Sequence, residues 1–127
     1  MTRRIVKTDQ APDPVGPYNQ AVIANGMVYT AGQIAIDPTT NQLMEGTVEE
    51  QAHQVMKNLG AVLAEAGSSF GKVVKTTIYL KSMDDFTAVN AVYGTFFDEE
   101  APARSTVEVS RLPKDVLVEI DCIALVD

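Results

Sequence analysis

The segment Val116-Leu-Val-Glu-Ile-Asp-Cys-Ile-Ala-Leu125 limits the possible folds more than any other part of this chain. Val116, Val118, Ile120, Cys122 and Ala124, with Val126 beyond them, recur at every second residue. A strand sends alternate side chains to opposite faces, so these residues make one unbroken apolar face that must lie beneath another layer. The reverse face carries Leu117, Glu119, Asp121, Ile123 and Leu125. A sheet face that mixes apolar and acidic residues and lacks helices of its own is expected to be covered by another subunit.

The rest of the chain supplies the layers. Asn25-Gly26 separates Gln20–Ala24 from Met27–Ala31, and Asn-Gly between apolar runs predicts a hairpin whose two turn residues take positive φ. Asp37-Pro38 and Thr39-Thr40-Asn41 mark a loop. Thr47 followed by Glu50 fits a capping box, and Ala52, Val55, Met56, Leu59, Val62, Leu63 and Ala66 then recur at helical spacing before Gly67. Val73–Leu80 alternates, with Val74, Ile78 and Leu80 expected on the buried side and Lys75, Thr77 and Tyr79 on the other. Ser82 is the expected cap of a second helix with a stripe of Phe86, Val89, Tyr93 and Phe97; Asp84 and Asp85 suit its first turn. Thr106–Pro113 and Val116–Leu125 are the final strands, joined near Pro113-Lys114-Asp115. The order ββ(β)αβαββ predicts an α+β fold in one domain over residues 1–127, a mixed β-sheet with two helices packed on one face.

Composition narrows the function. The 127 residues carry a net charge of -7, which disfavours nucleic acid as a partner, because nucleic-acid binding leaves a basic footprint. Arg3, Arg4 and Lys7 read as a solvated edge. No stretch approaches a membrane span, residues 1–20 hold no apolar secretory core, and Cys122 is the single cysteine. A cytoplasmic, reducing compartment and no membrane partner are the expectations. One histidine (His53) and one cysteine leave no His/Cys metal cluster, and no phosphate-binding glycine loop is present. No metal and no cofactor is expected.

Several polar residues have two readings on chemistry alone. Arg104 is either an exposed arginine at a strand end or a planar grip for a carboxylate. Glu119 either points to water or, half-buried among Leu117, Ile123 and Leu125, accepts a proton from water. Tyr18 either plugs a loop or offers its phenol. Gly32 marks a bulge, a close backbone approach, or both. Asn90, between Val89 and Tyr93, is either a structural bridge or a donor facing a site.

The ordered set Gly16-Pro17-Tyr18-Asn19-Gln20, Ala31-Gly32-Gln33, Val73–Leu80, Asp85-Phe86 through Val89-Asn90 to Tyr93, Pro102-Ala103-Arg104-Ser105 and Leu112–Ile120 resembles the RidA/YjgF family of imine deaminases, also called the endoribonuclease L-PSP family. The resemblance runs from about Ala11 to Val126 and implies a chorismate-mutase-like fold assembled as a homotrimer with sites between subunits. It implies hydrolytic deamination of 2-imino acids or their enamine tautomers (2-iminobutanoate, 2-iminopropanoate) to 2-oxo acids and ammonia, clearing reactive products of pyridoxal-phosphate enzymes.

By the same resemblance Arg104 holds the substrate carboxylate, Glu119 positions the hydrolytic water and Tyr18 lies at the ligand. Gly32, Asn90, Ala31 and Thr106 complete the substrate surroundings. Many relatives have serine at the position of Ala31 and cysteine at that of Thr106. The first change bears on substrate preference, and the second removes any thiol chemistry there. Two other classes stay open: a non-catalytic ligand-binding regulator or chaperone-like trimer, and an endoribonuclease or translation inhibitor, which the acidic charge disfavours.

Overall fold

A computed structural model describes residues 2–127. The main sheet has six strands: β1 (Arg4–Val6), β2 (Ala21–Ala24), β3 (Met27–Thr30), β6 (Val73–Leu80), β7 (Ala103–Glu108) and β8 (Val118–Leu125). Their order across the sheet is β1-β2-β3-β8-β6-β7. β7 runs parallel to β6, and every other neighbour is antiparallel. A two-stranded hairpin of β4 (Ile36–Asp37) and β5 (Gln42–Leu43) stands apart from it. The helices α1 (Val48–Glu65) and α2 (Phe86–Gly94) pack on one face, as the sequence predicts.

The local signals act as their chemistry requires. Asn25 and Gly26 take φ of 53° and 74° in the β2–β3 turn. Thr47 Oγ1 accepts the Glu50 N–H at 3.1 Å while the Glu50 carboxylate accepts the Thr47 N–H at 3.0 Å, closing the capping box. Gly67, at φ 83°, ends α1 in the left-handed region that glycine adopts without strain. The α1 stripe of Ala52, Val55, Met56, Leu59, Val62 and Leu63 is buried against Val118, Ile120, Cys122 and Ala124 of β8. Burial pushes the Cys122 thiol up to about 11, so it behaves as a small apolar side chain.

Two details differ from the sequence reading, and the expected Asp37–Asn41 loop joins two short strands. A bulge between Val73 and Lys75 turns Val73 into the core and leaves Val74 exposed, reversing the face expected for Val74. Ser82 caps a short 3-10 turn, Met83–Asp85, and not α2 itself; Phe97 lies beyond the end of that helix. The Asp37–Asn41 loop is the tip of the β4–β5 hairpin, with Asn41 at φ 61°.

The core assignment carries a direct test. Leu59 is 1% exposed in the core cluster that α1 shares with β8, so Leu59→Ala should cost about 2–5 kcal/mol in urea unfolding. A cost under about 1 kcal/mol would contradict that packing.

Candidate functional site

The sheet separates the candidate residues into two groups. On the helix-covered face, β7 presents Arg104 opposite Thr76 of β6. The Arg104 guanidinium carbon stands 5.1 Å from the ring centre of Tyr93 and 5.5 Å from that of Phe86. Arg104 Nη1 donates to Asn90 Oδ1 at 2.7 Å. Tyr93 is fixed in turn by a 2.8 Å bond between its hydroxyl and that of Thr76. Two rings and an amide therefore set the orientation of the guanidinium, and its remaining donors stay free. No carboxylate among the described residues forms an ion pair with this half-buried cation. Thr106, two residues on and facing the same way, has a buried hydroxyl with no hydrogen-bond partner among the described residues.

The second group lies on the open face. A cleft of about 320 Å³ is lined by Pro12–Val15, Tyr18, Gln20, Ala31–Ile34, Ile36, Pro113 and Glu119. Its walls come from distant parts of the chain, and the buried Gln20 side chain joins them. Gln20 Oε1 accepts the Thr8 N–H at 2.7 Å, and Nε2 donates to the carbonyls of Thr8, Ala11 and Pro12 at 2.9–3.3 Å. One amide thus pins the whole segment leading into the Pro12–Val15 wall. On the opposite wall, Gln33 and Ile120 exchange backbone bonds of 2.8 and 3.2 Å, which bring Gly32 against β8. A Cβ at Gly32 would lie 2.8 Å from Glu119 Cδ, too close for any side chain without displacing the carboxylate. Glycine here permits that close approach. The Tyr18 hydroxyl accepts the Val15 N–H at 3.2 Å, so the tyrosine both braces its own loop and shows its ring to the cleft.

Glu119 has an unusual electrostatic setting. Half-burial, and then the charge of Asp121 on the same face, raise its pKa above the ordinary glutamate value. Asp121 is itself raised by burial, against the opposing effects of the Tyr79 hydroxyl, which donates to it at 3.2 Å, and of Lys75. A carboxyl displaced toward neutral pH can take a proton from water and return it later.

Tyr18, Ala31, Gly32 and Glu119 therefore share one cleft; Arg104, Asn90 and Thr106 form a separate group on the other side of the sheet. Sequence reasoning did not find Gln20, Phe86 or Tyr93 as parts of the site. Gln20 sits inside a motif but gives no sign of its burial, and the two rings read as helix core. His53 is exposed, its ring 5.7 Å from that of Phe96 and remote from both groups. Among the described residues no three His, Cys, Asp or Glu side chains are grouped to hold a metal ion, and no helix is long and apolar enough to cross a membrane.

A mixed sheet under two helices, with this ordered set of motifs, defines the class, and comparison with known proteins gives the family. The chain belongs to the Endoribonuclease L-PSP family, whose model matches residues 8–126. It is 67% identical to a RutC family protein of Synechocystis over 127 residues, 98% of each chain. It is 42% identical to the human 2-iminobutanoate/2-iminopropanoate deaminase, over 98% of this chain and 91% of that one. The crystal structure of E. coli TdcF with bound serine superposes with a TM-score of 0.91 at 42% identity, covering 98% of this chain and 99% of TdcF.

The raised pKa of Glu119 can be checked directly. In an NMR titration Asp121→Asn should lower the Glu119 midpoint, because a like charge is removed, yet leave it above the ordinary value, because burial is the larger cause. An unchanged midpoint would contradict the coupling.

Proposed function

We propose that this protein hydrolyses short 2-imino acids, such as 2-iminobutanoate and 2-iminopropanoate, to 2-oxo acids and ammonia. We propose further that its sites lie where subunits of a homotrimer meet. The observation that carries the reading is Arg104: a permanently charged, half-buried guanidinium held by Asn90 and two rings, with no carboxylate partner among the described residues. Such a group is completed by an anion, and a small acid supplies one with two parallel bonds. Names among the relatives agree, since the human protein is a deaminase of these imines and TdcF was crystallised with an amino acid.

A substrate gripped by Arg104 must also reach Glu119, which lies across the sheet in the same chain. A second copy laid on the open face resolves this, bringing the Arg104 side of one subunit against the Glu119 cleft of its neighbour. Ile5, Tyr29, Val107 and Leu125 are exposed, which fits a face covered by another copy. In the joined site Arg104 fixes the carboxylate, while Tyr18 and the backbone at Gly32 frame the carbon chain. Glu119 holds a water against the C=N carbon and takes its proton as the C–O bond forms. That proton passes to nitrogen, giving a carbinolamine. Glu119 then carries the hydroxyl proton to the same nitrogen as C=O forms and the C–N bond breaks, and the oxo acid and ammonia leave. The substrate is already electrophilic, so positioning of water accounts for most of the rate. Ala31 removes the hydroxyl that many relatives place in this cleft, which leaves the wall beside Gly32 apolar. The endoribonuclease name of the family finds no support in a chain of net charge -7.

Semicarbazide trapping of 2-iminobutanoate, released from threonine by a dehydratase, tests the reading. The wild-type protein should suppress trapping. Arg104→Ala should lose the effect by about 100-fold or more, the size expected when a charge-assisted pair is removed. A folded wild-type protein that leaves trapping unchanged, while small acids still protect it against melting, would make it a binding module.

A further inference from the structure

The connection from β7 to β8 contains two consecutive residues, Lys114 and Asp115, each at φ 56°. Left-handed backbone is uncommon for residues other than glycine, and two in succession are rarer still. Both ends of this turn are anchored. Leu112 and Val116 are buried in a small cluster with Ile34 and Ile36, separate from the main core. Asp115 N–H donates to the Leu112 carbonyl at 3.0 Å, and Val116 N–H to that of Pro113 at 3.3 Å. Outside the turn, Arg111 Nε and Nη2 donate to the two Asp115 carboxylate oxygens at 2.7 and 3.2 Å, a two-bond fork fully in solvent. Pro113, at the head of the turn, lines the cleft with Gly32 and Glu119, and Ile34 and Ile36 line the same cleft.

An exposed ion pair contributes little to global stability. This one bonds both oxygens of a residue whose backbone is strained, and the strained segment has a cleft residue at its head. We propose that Arg111 and Asp115 are positioning residues: their fork holds the Pro113–Asp115 turn in its left-handed form and so fixes Pro113 as the rim of the cleft. The small cluster transmits that placement, because Leu112 and Val116 on the turn side pack against Ile34 and Ile36 on the cleft side. The function of the rim rests on the deaminase reading of the cleft; the clamp itself does not.

Arg111→Gln, Asp115→Asn and the double variant separate the two. Each should leave the melting temperature within about 2 °C, as befits an exposed pair. Each should raise KM for the trapped imine about three- to tenfold with kcat within about twofold, the pattern of weakened ground-state and transition-state binding alike. The double variant should be no worse than either single one, because the two residues act as one device. Arg111→Lys should not restore KM, since an ammonium cannot make the fork. Amide exchange supplies a readout independent of turnover: Asp115 and Val116 N–H should exchange faster in each variant. Unchanged exchange at both amides overturns the clamp whether or not the protein is an enzyme. Faster exchange with unchanged KM overturns the link from turn to cleft. A wild-type protein without deaminase activity defeats the reading of the cleft alone, and exchange then decides the clamp.

Discussion

β8 is the strand on which the rest of the structure depends. It lies between β3 and β6, bonded to both, so its two faces see two different environments. Val118, Ile120, Cys122 and Ala124 are 0–2% exposed beneath α1, and their burial supplies the main core. Glu119 and Asp121 alternate with them and must therefore stand on the face without helices, where half-burial raises both carboxyls. The strand that seals the core thus also delivers the acid of the candidate site. Moving β8 by one residue would exchange core and carboxylates at once.

Polar groups buried elsewhere are spent on shape. Gln20 ties residues 8–12 to β2, Asn58 of α1 donates to the carbonyls of Ile34 and Ile36, and the Gln51 side-chain oxygen accepts the Leu117 N–H. All three hold chain outside the six-stranded sheet that borders the cleft or leads to it, where backbone groups still need partners. The hydroxyl of Thr106, two residues along β7 from Arg104, is the exception, without a partner among the described residues.

Much of this was legible in the residues. Strict alternation announced β8, the Thr47–Glu50 pair announced the start of α1, and Asn25-Gly26 announced its hairpin, because each signal is a local requirement of backbone geometry. Val74 was misplaced because a bulge adds one residue that no side-chain pattern marks. β1 escaped notice because three residues, Arg4–Val6, set between Arg3 and Lys7 show neither length nor alternation. The site was legible as a set of residues and not as an arrangement. Arg104 and Glu119 each carry recognisable chemistry, but whether they face the same side depends on the order in which residues pair across the strands: Arg104 pairs with Thr76 and through it with Cys122 on the core face, whereas Glu119 pairs with Tyr79 on the open face. Sequence spacing does not encode that order.

The central claim, that each site takes Arg104 from one subunit and Glu119 from another, is most directly tested by complementation. Arg104→Ala and Glu119→Gln chains would each be assayed alone and after refolding together in equal amounts. In a closed ring of shared interfaces, random mixing leaves both residues intact in about one site in four, so activity should return to about a quarter of wild type from two inactive parents. A mixed assembly as inactive as its parents would contradict the shared site.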